Sequence, residues 1–81
     1  MKRYKGVIYM NFPSRKEVER VRKEFPNGTR IKLVRMNDVQ APSKGTEGTV
    51  VAVDDTASLI VKWDNGSRLN VIYGKDIICK A

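Results

Sequence analysis

The chain predicts a mainly β protein with one N-terminal α-helix, its β part a small, closed or nearly closed barrel of five short strands. Three observations carry that reading. Eighty-one residues make one domain with a modest core. From Thr29 onward, short alternating apolar runs are separated by Gly-, Asn- and Asp-containing turns at regular intervals. The stretch from Leu59 to Val71 is two such runs around Asp64-Asn65-Gly66, and it fixes its own hairpin register.

The register follows from which residues share a face. A two-residue loop at Asn65-Gly66 pairs Trp63 with Arg68 and Val61 with Asn70. A three-residue loop, Asp64-Asn65-Gly66, pairs Trp63 with Ser67, Val61 with Leu69 and Leu59 with Val71. Directly opposed residues lie on one side of a sheet. Only the second arrangement gathers Leu59, Val61, Trp63, Leu69 and Val71, and a one-residue slip scatters them. The turn is then type I with Gly66 left-handed in a G1 bulge. The opposite face carries Ile60, Lys62, Arg68, Asn70 and Ile72.

The remaining elements follow in chain order. Residues 1–11 form an arm in which Val7-Ile8-Tyr9-Met10 has the composition of a short strand, and residues 12–81 form a single domain. Ser14 is a good N-cap and Glu17 stands three residues on, the capping-box spacing. Val18, Val21 and Phe25 make one apolar stripe, so a helix is expected over residues 15–24. The stripe is narrow and its valines are β-branched, so the helix needs tertiary support. Pro26-Asn27-Gly28 stops it. Thr29–Arg35 is strand one, with Ile31 and Leu33 on one face. Met36–Lys44 is a long polar loop, Gly45–Gly48 a turn and Thr49–Val53 strand two. The hairpin supplies strands three and four, and Ile77-Ile78-Cys79 closes the barrel. Expected inside are Leu33, Val50, Val61, Trp63, Leu69 and Val71.

Composition narrows the functional classes. No apolar run approaches the roughly 20 residues that span a bilayer, and Val7–Met10 is too short for a signal-peptide apolar region. The single cysteine, Cys79, cannot form an internal disulfide, which agrees with a cytoplasmic protein. The net charge of +7 is unevenly placed. Residues 1–35 hold eleven Lys/Arg against three Glu, +8, and residues 36–81 hold five Lys/Arg against six Asp/Glu, −1. Such asymmetry suits a polyanion or an acidic surface.

The order of strand one, long loop, meander and short fifth strand looks like an SH3-like barrel. Gly28–Val34 and Lys44–Val53, with Gly48 as the central glycine, are similar to the KOW motif of ribosomal proteins and transcription elongation factors. Phe12 to Arg22, Gly28-Thr29-Arg30, Gly45–Val50, Val53-Asp54-Asp55 and Trp63–Ser67 resemble a family of small bacterial proteins known only as a domain of unknown function. That family is common in Firmicutes and in their phages and conjugative elements. The resemblance implies an SH3-like fold after a helix and no catalytic residues.

The residues themselves point away from an enzyme. There is no histidine, hence no ordinary general base near neutral pH and no imidazole metal ligand. Cys79 lies in an apolar strand and reads as a buried, inert thiol. Asp54, Asp55 and Asp64 sit in turns, where Asp makes local hydrogen bonds, and they fall short of a hard-cation ligand set. No cofactor or metal is expected. Gly28, Gly45, Gly48, Gly66 and Gly74 read as turn residues.

What remains is cationic. Arg15, Lys16, Arg20, Lys23, Arg30, Lys32 and Arg35 fall on the helix and strand one, where they suit phosphate contacts. Tyr4, Tyr9 and Tyr73 offer stacking if exposed. An intrahelical pair such as Glu19 with Lys23 is the competing use of the charges. The expected function is weak, sequence-tolerant nucleic-acid binding. The alternative is a protein–protein adaptor or inhibitor of phage or mobile-element origin that uses the barrel surface, with Ile60 and Ile72 as apolar contacts. Neither reading involves a membrane, and the oligomeric state is open.

Overall fold

The structure, a computed structural model, describes residues 13–81. Its elements are α1 (Arg15–Glu24), β1 (Arg30–Arg35), β2 (Glu47–Val53), β3 (Leu59–Trp63) and β4 (Ile77–Lys80). The strands make one open antiparallel sheet in the order β3-β2-β1-β4. The expected arm, with its Val7–Met10 strand, lies outside the described residues.

The helix forms as its sequence requires. Ser14 is extended, and its hydroxyl accepts the Glu17 N–H at 3.2 Å. The other half of the capping box does not form, because the Glu17 carboxylate turns to Arg20 and Tyr73. Val18 and Val21 are buried, and Phe25 packs half-buried against the core. The Phe25 N–H closes the last turn on the Val21 carbonyl at 2.8 Å, and Gly28, at φ +97°, redirects the chain into β1.

Alternation places the core between helix and sheet. Ile31 and Leu33 of β1, Val50 and Val53 of β2, and Leu59, Val61 and Trp63 of β3 are buried with Val71, Val18 and Val21. Trp63 is 2% exposed, and its indole N–H donates to the Leu69 carbonyl at 2.8 Å, so the buried ring carries no orphan donor. The ring sits against Gly48. A Cβ there would lie 2.8 Å from Trp63 Cε3 and 2.9 Å from Val61 Cγ1. Gly48 is therefore not a turn residue, as its neighbours suggested. It stands within β2, and what it supplies is space.

The hairpin keeps its deduced register at both ends. Leu59 and Val71 exchange two hydrogen bonds of 2.9 Å, and the Trp63 N–H reaches the Ser67 carbonyl at 3.3 Å. Gly66 is left-handed at φ +90°. The middle departs from expectation. Leu69 gives its carbonyl to the Trp63 indole, and its N–H approaches Ser67 Oγ at 3.4 Å, the two groups a ladder with Val61 would use. The expected fourth strand is thereby reduced to the single bridge at Val71, and Leu69 is half-buried rather than inside. The sheet accordingly has four strands and is not shown as a closed barrel.

The last strand also corrects a placement. β4 pairs with β1, with Leu33 opposite Ile78 and Lys32 opposite Cys79. Ile78 joins the core edge, while Cys79 shares the solvent face with Lys32 and is exposed, not buried. Register shifts at Val50/Ala52 and Leu33/Arg35 bend the two central strands.

Two stability changes are expected. Gly48→Ala overpacks the Trp63 seat and should cost about 1–3 kcal/mol in chemical denaturation. Ser14→Ala removes the cap and should cost about 1 kcal/mol by the same measurement.

Candidate nucleic-acid interface

The seven cations expected to contact phosphate do not form one cluster. Lys16, Arg20 and Lys23 stand at i, i+4 and i+7 on α1, a solvent ridge opposite the buried Val18 and Val21. Arg15 lies beside this ridge. Arg30 and Lys32 alternate with buried Ile31 and Leu33, so they project from the sheet face that turns away from the helix. Arg35 ends β1 next to Lys44, Pro42 and Ile77. The structure thus brings Lys16, Arg20 and Lys23 together, and separately Arg30 and Lys32.

Two of these cations are already engaged. Arg30 binds both carboxylate oxygens of Asp64, at 2.9 and 2.6 Å, and also Glu47 at 3.2 Å and Thr49 Oγ1 at 3.0 Å. This fork ties β1 to β2 and to the turn after β3. Hydrogen bonding to Asp64 holds the guanidinium charged well above its ordinary range, and the same bonds hold the Asp64 carboxyl below its own. Arg20 takes Glu17 at 2.7 Å and Glu24 at 3.8 Å, so the intrahelical pairing is centred on Arg20 and not on Glu19 with Lys23. Glu17 is lowered first by the Tyr73 hydroxyl and then by Arg20, and Tyr73 is raised above the usual phenol value by the same bond. That contact fixes Tyr73 to the helix, which removes its hydroxyl end from any stacking role.

Arg22 contributes a third tie. It donates to the Val53 carbonyl at 3.1 Å and to Asp55 at 2.9 Å, pinning the helix to the end of β2. Three arginines therefore hold five carboxylates: Glu17, Glu24, Asp55, Glu47 and Asp64. The turn reading holds for Asp54. Burial works against its charge, but bonds from Thr56 and Ser58 prevail and lower its pKa. Among the described residues, no three His, Cys, Asp or Glu side chains come together in a way that could hold a metal ion. No helix there is long and apolar enough to cross a membrane.

Sequence reasoning about the basic surface passed over Lys62. It alternates with buried Val61 and Trp63, and it shares the outer sheet face with Lys32 and Arg30, with Thr49 between it and Arg30. The alternation of Leu59–Trp63 was the signal. The apolar pair Ile60 and Ile72 is exposed, at 38% and 44%.

Residues 14–81 match the family model described as Domain of unknown function (DUF4314), and the chain belongs to that family. No curated protein and no solved structure matches it.

The carboxylate shifts set an acid response. Folded values for Glu17 and Asp64 lie below their unfolded ones, so their contribution to stability is present above the ordinary carboxylate range. It is lost as pH falls through the folded values. Carboxyl titration by NMR should find both groups depressed. Arg30→Gln should return Asp64 toward its ordinary value and leave Glu17 unchanged, since the partners of Glu17 are Tyr73 and Arg20.

Proposed function

We propose that this DUF4314 chain is a non-enzymatic module that binds nucleic acid weakly and with little sequence preference, through its lysine- and arginine-bearing surfaces. One observation carries the reading. Because three arginines gather five of the nine carboxylates, ten Lys/Arg of the described residues stand outside ion pairs against four remaining carboxylates. The acids are concentrated at three points, and cations such as Lys16, Lys23, Lys32 and Lys62 are left for phosphates. Lys2, Arg3 and Lys5 add to the excess by sequence.

The finer fold reading belongs with this proposal. The Leu59–Val71 bridge sets the segment around Val71 beside β3. The spatial order then runs from that segment through β3, β2 and β1 to β4, the neighbour order of an SH3-like five-stranded barrel whose fourth strand is irregular. A KOW-like use of the Gly48 region, a cytoplasmic setting and a mobile-element origin go with this reading. Side chains that contact phosphate give affinity without sequence discrimination. A second reading, a protein-binding adaptor or inhibitor, is favoured by the exposure of Ile60, Ile72 and Ile77.

Fluorescence anisotropy with duplex and single-stranded oligonucleotides at low salt decides between them. The expected result is a dissociation constant of about tens of micromolar or tighter, the range of ordinary non-specific binders. Lys16→Glu, Lys23→Glu and Lys32→Glu together should weaken all sequences alike, and should reduce the log–log salt slope by about 0.9 for each phosphate that is no longer neutralised. Folding should be nearly unaffected, because exposed charges contribute little to stability. Absence of binding at that concentration replaces this reading with the adaptor.

A further inference from the structure

At the end of β1 a cavity of about 390 Å³ opens between that strand, the loop before β2 and the start of β4. Leu33, Val34, Met36, Pro42 and Ile77 make its apolar lining, with Leu33 buried at 2% exposure and Ile77 47% exposed. Backbone contacts set this shape. The ladder to β4 shifts register between Leu33 and Arg35, so Val34 has no counterpart on β4 and the strand bends. The Gly45 N–H bonds the Leu33 carbonyl at 2.8 Å, and the Leu33 N–H bonds the Thr46 carbonyl at 2.9 Å. These bonds tie the end of the loop, and Lys44 with it, to β1. Arg35 and Lys44 complete the lining. Among the described residues neither forms an ion pair, and no carboxylate lines the cavity. Three other hollows differ in this respect: one holds Glu19 and Asp55, another Glu24 and Asp76, and a third Asp38 and Asp76.

We propose that this cavity seats one unpaired base of a single-stranded nucleic acid, with Arg35 and Lys44 on the phosphates beside it, an inference that rests on the nucleic-acid reading above and gives it a place. Two features select the occupant. The first is charge. Both ionisable groups at the cavity are cations, and with no carboxylate beside them they favour an anion. The second is that these cations border an apolar hollow. A ligand that satisfies both has an apolar body with a negative charge a few bonds away, and each nucleotide of a strand has that form. A paired base is held inside the duplex, whereas an unpaired base can be splayed out and seated. The Met36 thioether suits the face of an aromatic ring. No Asn, Gln, Ser or Thr side chain lines the cavity to read a base edge, so it takes bases without strong preference.

Fluorescence anisotropy on the full chain at low salt tests it with three probes of equal length: oligothymidylate, its duplex with oligoadenylate, and an abasic strand that keeps the phosphates alone. Oligothymidylate should bind about fivefold tighter than the abasic strand, the low end of what one stacked base contributes. Ile77→Ser should erase most of that difference and leave duplex binding unchanged, since it alters no charge. Lys44→Glu places a carboxylate at the cavity and should weaken oligothymidylate more than the duplex. In NMR spectra, oligothymidylate should shift the signals of Val34, Met36 and Ile77, and the duplex should not. An unchanged Trp63 indole signal checks that each variant is folded. Equal affinity for oligothymidylate and the abasic strand, with the cavity signals unmoved, overturns the proposal and leaves phosphate binding intact. Failure of all three probes to bind overturns it together with the nucleic-acid reading. Cavity shifts produced by polyglutamate and by none of the three probes overturn it in favour of an acidic protein segment.

Discussion

The ring of Trp63 rests on the bare backbone of Gly48, and the rest of the structure depends on that contact. A side chain at Gly48 would occupy the space of the indole. With the ring seated, β2 and β3 close over Val50 and Val61, the register of the pair is fixed, and the indole N–H is carried to the Leu69 carbonyl. That last bond takes up the backbone group which a regular fourth strand would need. One buried aromatic therefore orders the sheet and also ends it, leaving the segment after Ser67 irregular until Val71.

The surface follows from a second economy. Arginine, with its planar fork of donors, holds more than one carboxylate at a time. Arg30 and Arg20 each gather two, and Arg22 adds a backbone carbonyl to its one. These ties are between exposed groups, so each is a modest contribution to stability. Their larger effect is on distribution. Five of the nine carboxylates are gathered at three arginines, and lysines are left outstanding on the helix ridge and the outer sheet face. A surface of that kind favours a polyanion without dictating its sequence.

Much of this was legible in the residues. Ser14, the Val18–Val21–Phe25 stripe and Pro26-Asn27-Gly28 mark α1 because caps and periodicity act locally. The Leu59–Val71 register was legible because only one loop length puts the apolar set on one face. What was not legible arises from partners distant in sequence. Leu69 keeps an apolar pattern suited to a strand, but its carbonyl is claimed by an indole, and no periodicity signals that. Arg30 looked like a free cation because Glu47 and Asp64 stand 17 and 34 residues away. Cys79 looked buried because its neighbours are apolar, whereas its facing is decided by pairing with Lys32. Gly48 sits in a glycine-rich stretch that reads as a turn, and only the tryptophan beside it reveals that the need is for space.

Hydrogen exchange of the Trp63 indole proton is the most direct test of this account, and the chain's single tryptophan makes the signal unambiguous. A ring 2% exposed, bonded at 2.8 Å to the Leu69 carbonyl, should exchange only when the whole domain opens. Its protection should then match that of the slowest amides of β2 and β3 and fall with them as denaturant is raised. An indole proton that exchanges at the rate of free tryptophan, while those amides stay protected, would contradict the seat on which the fold is argued to depend.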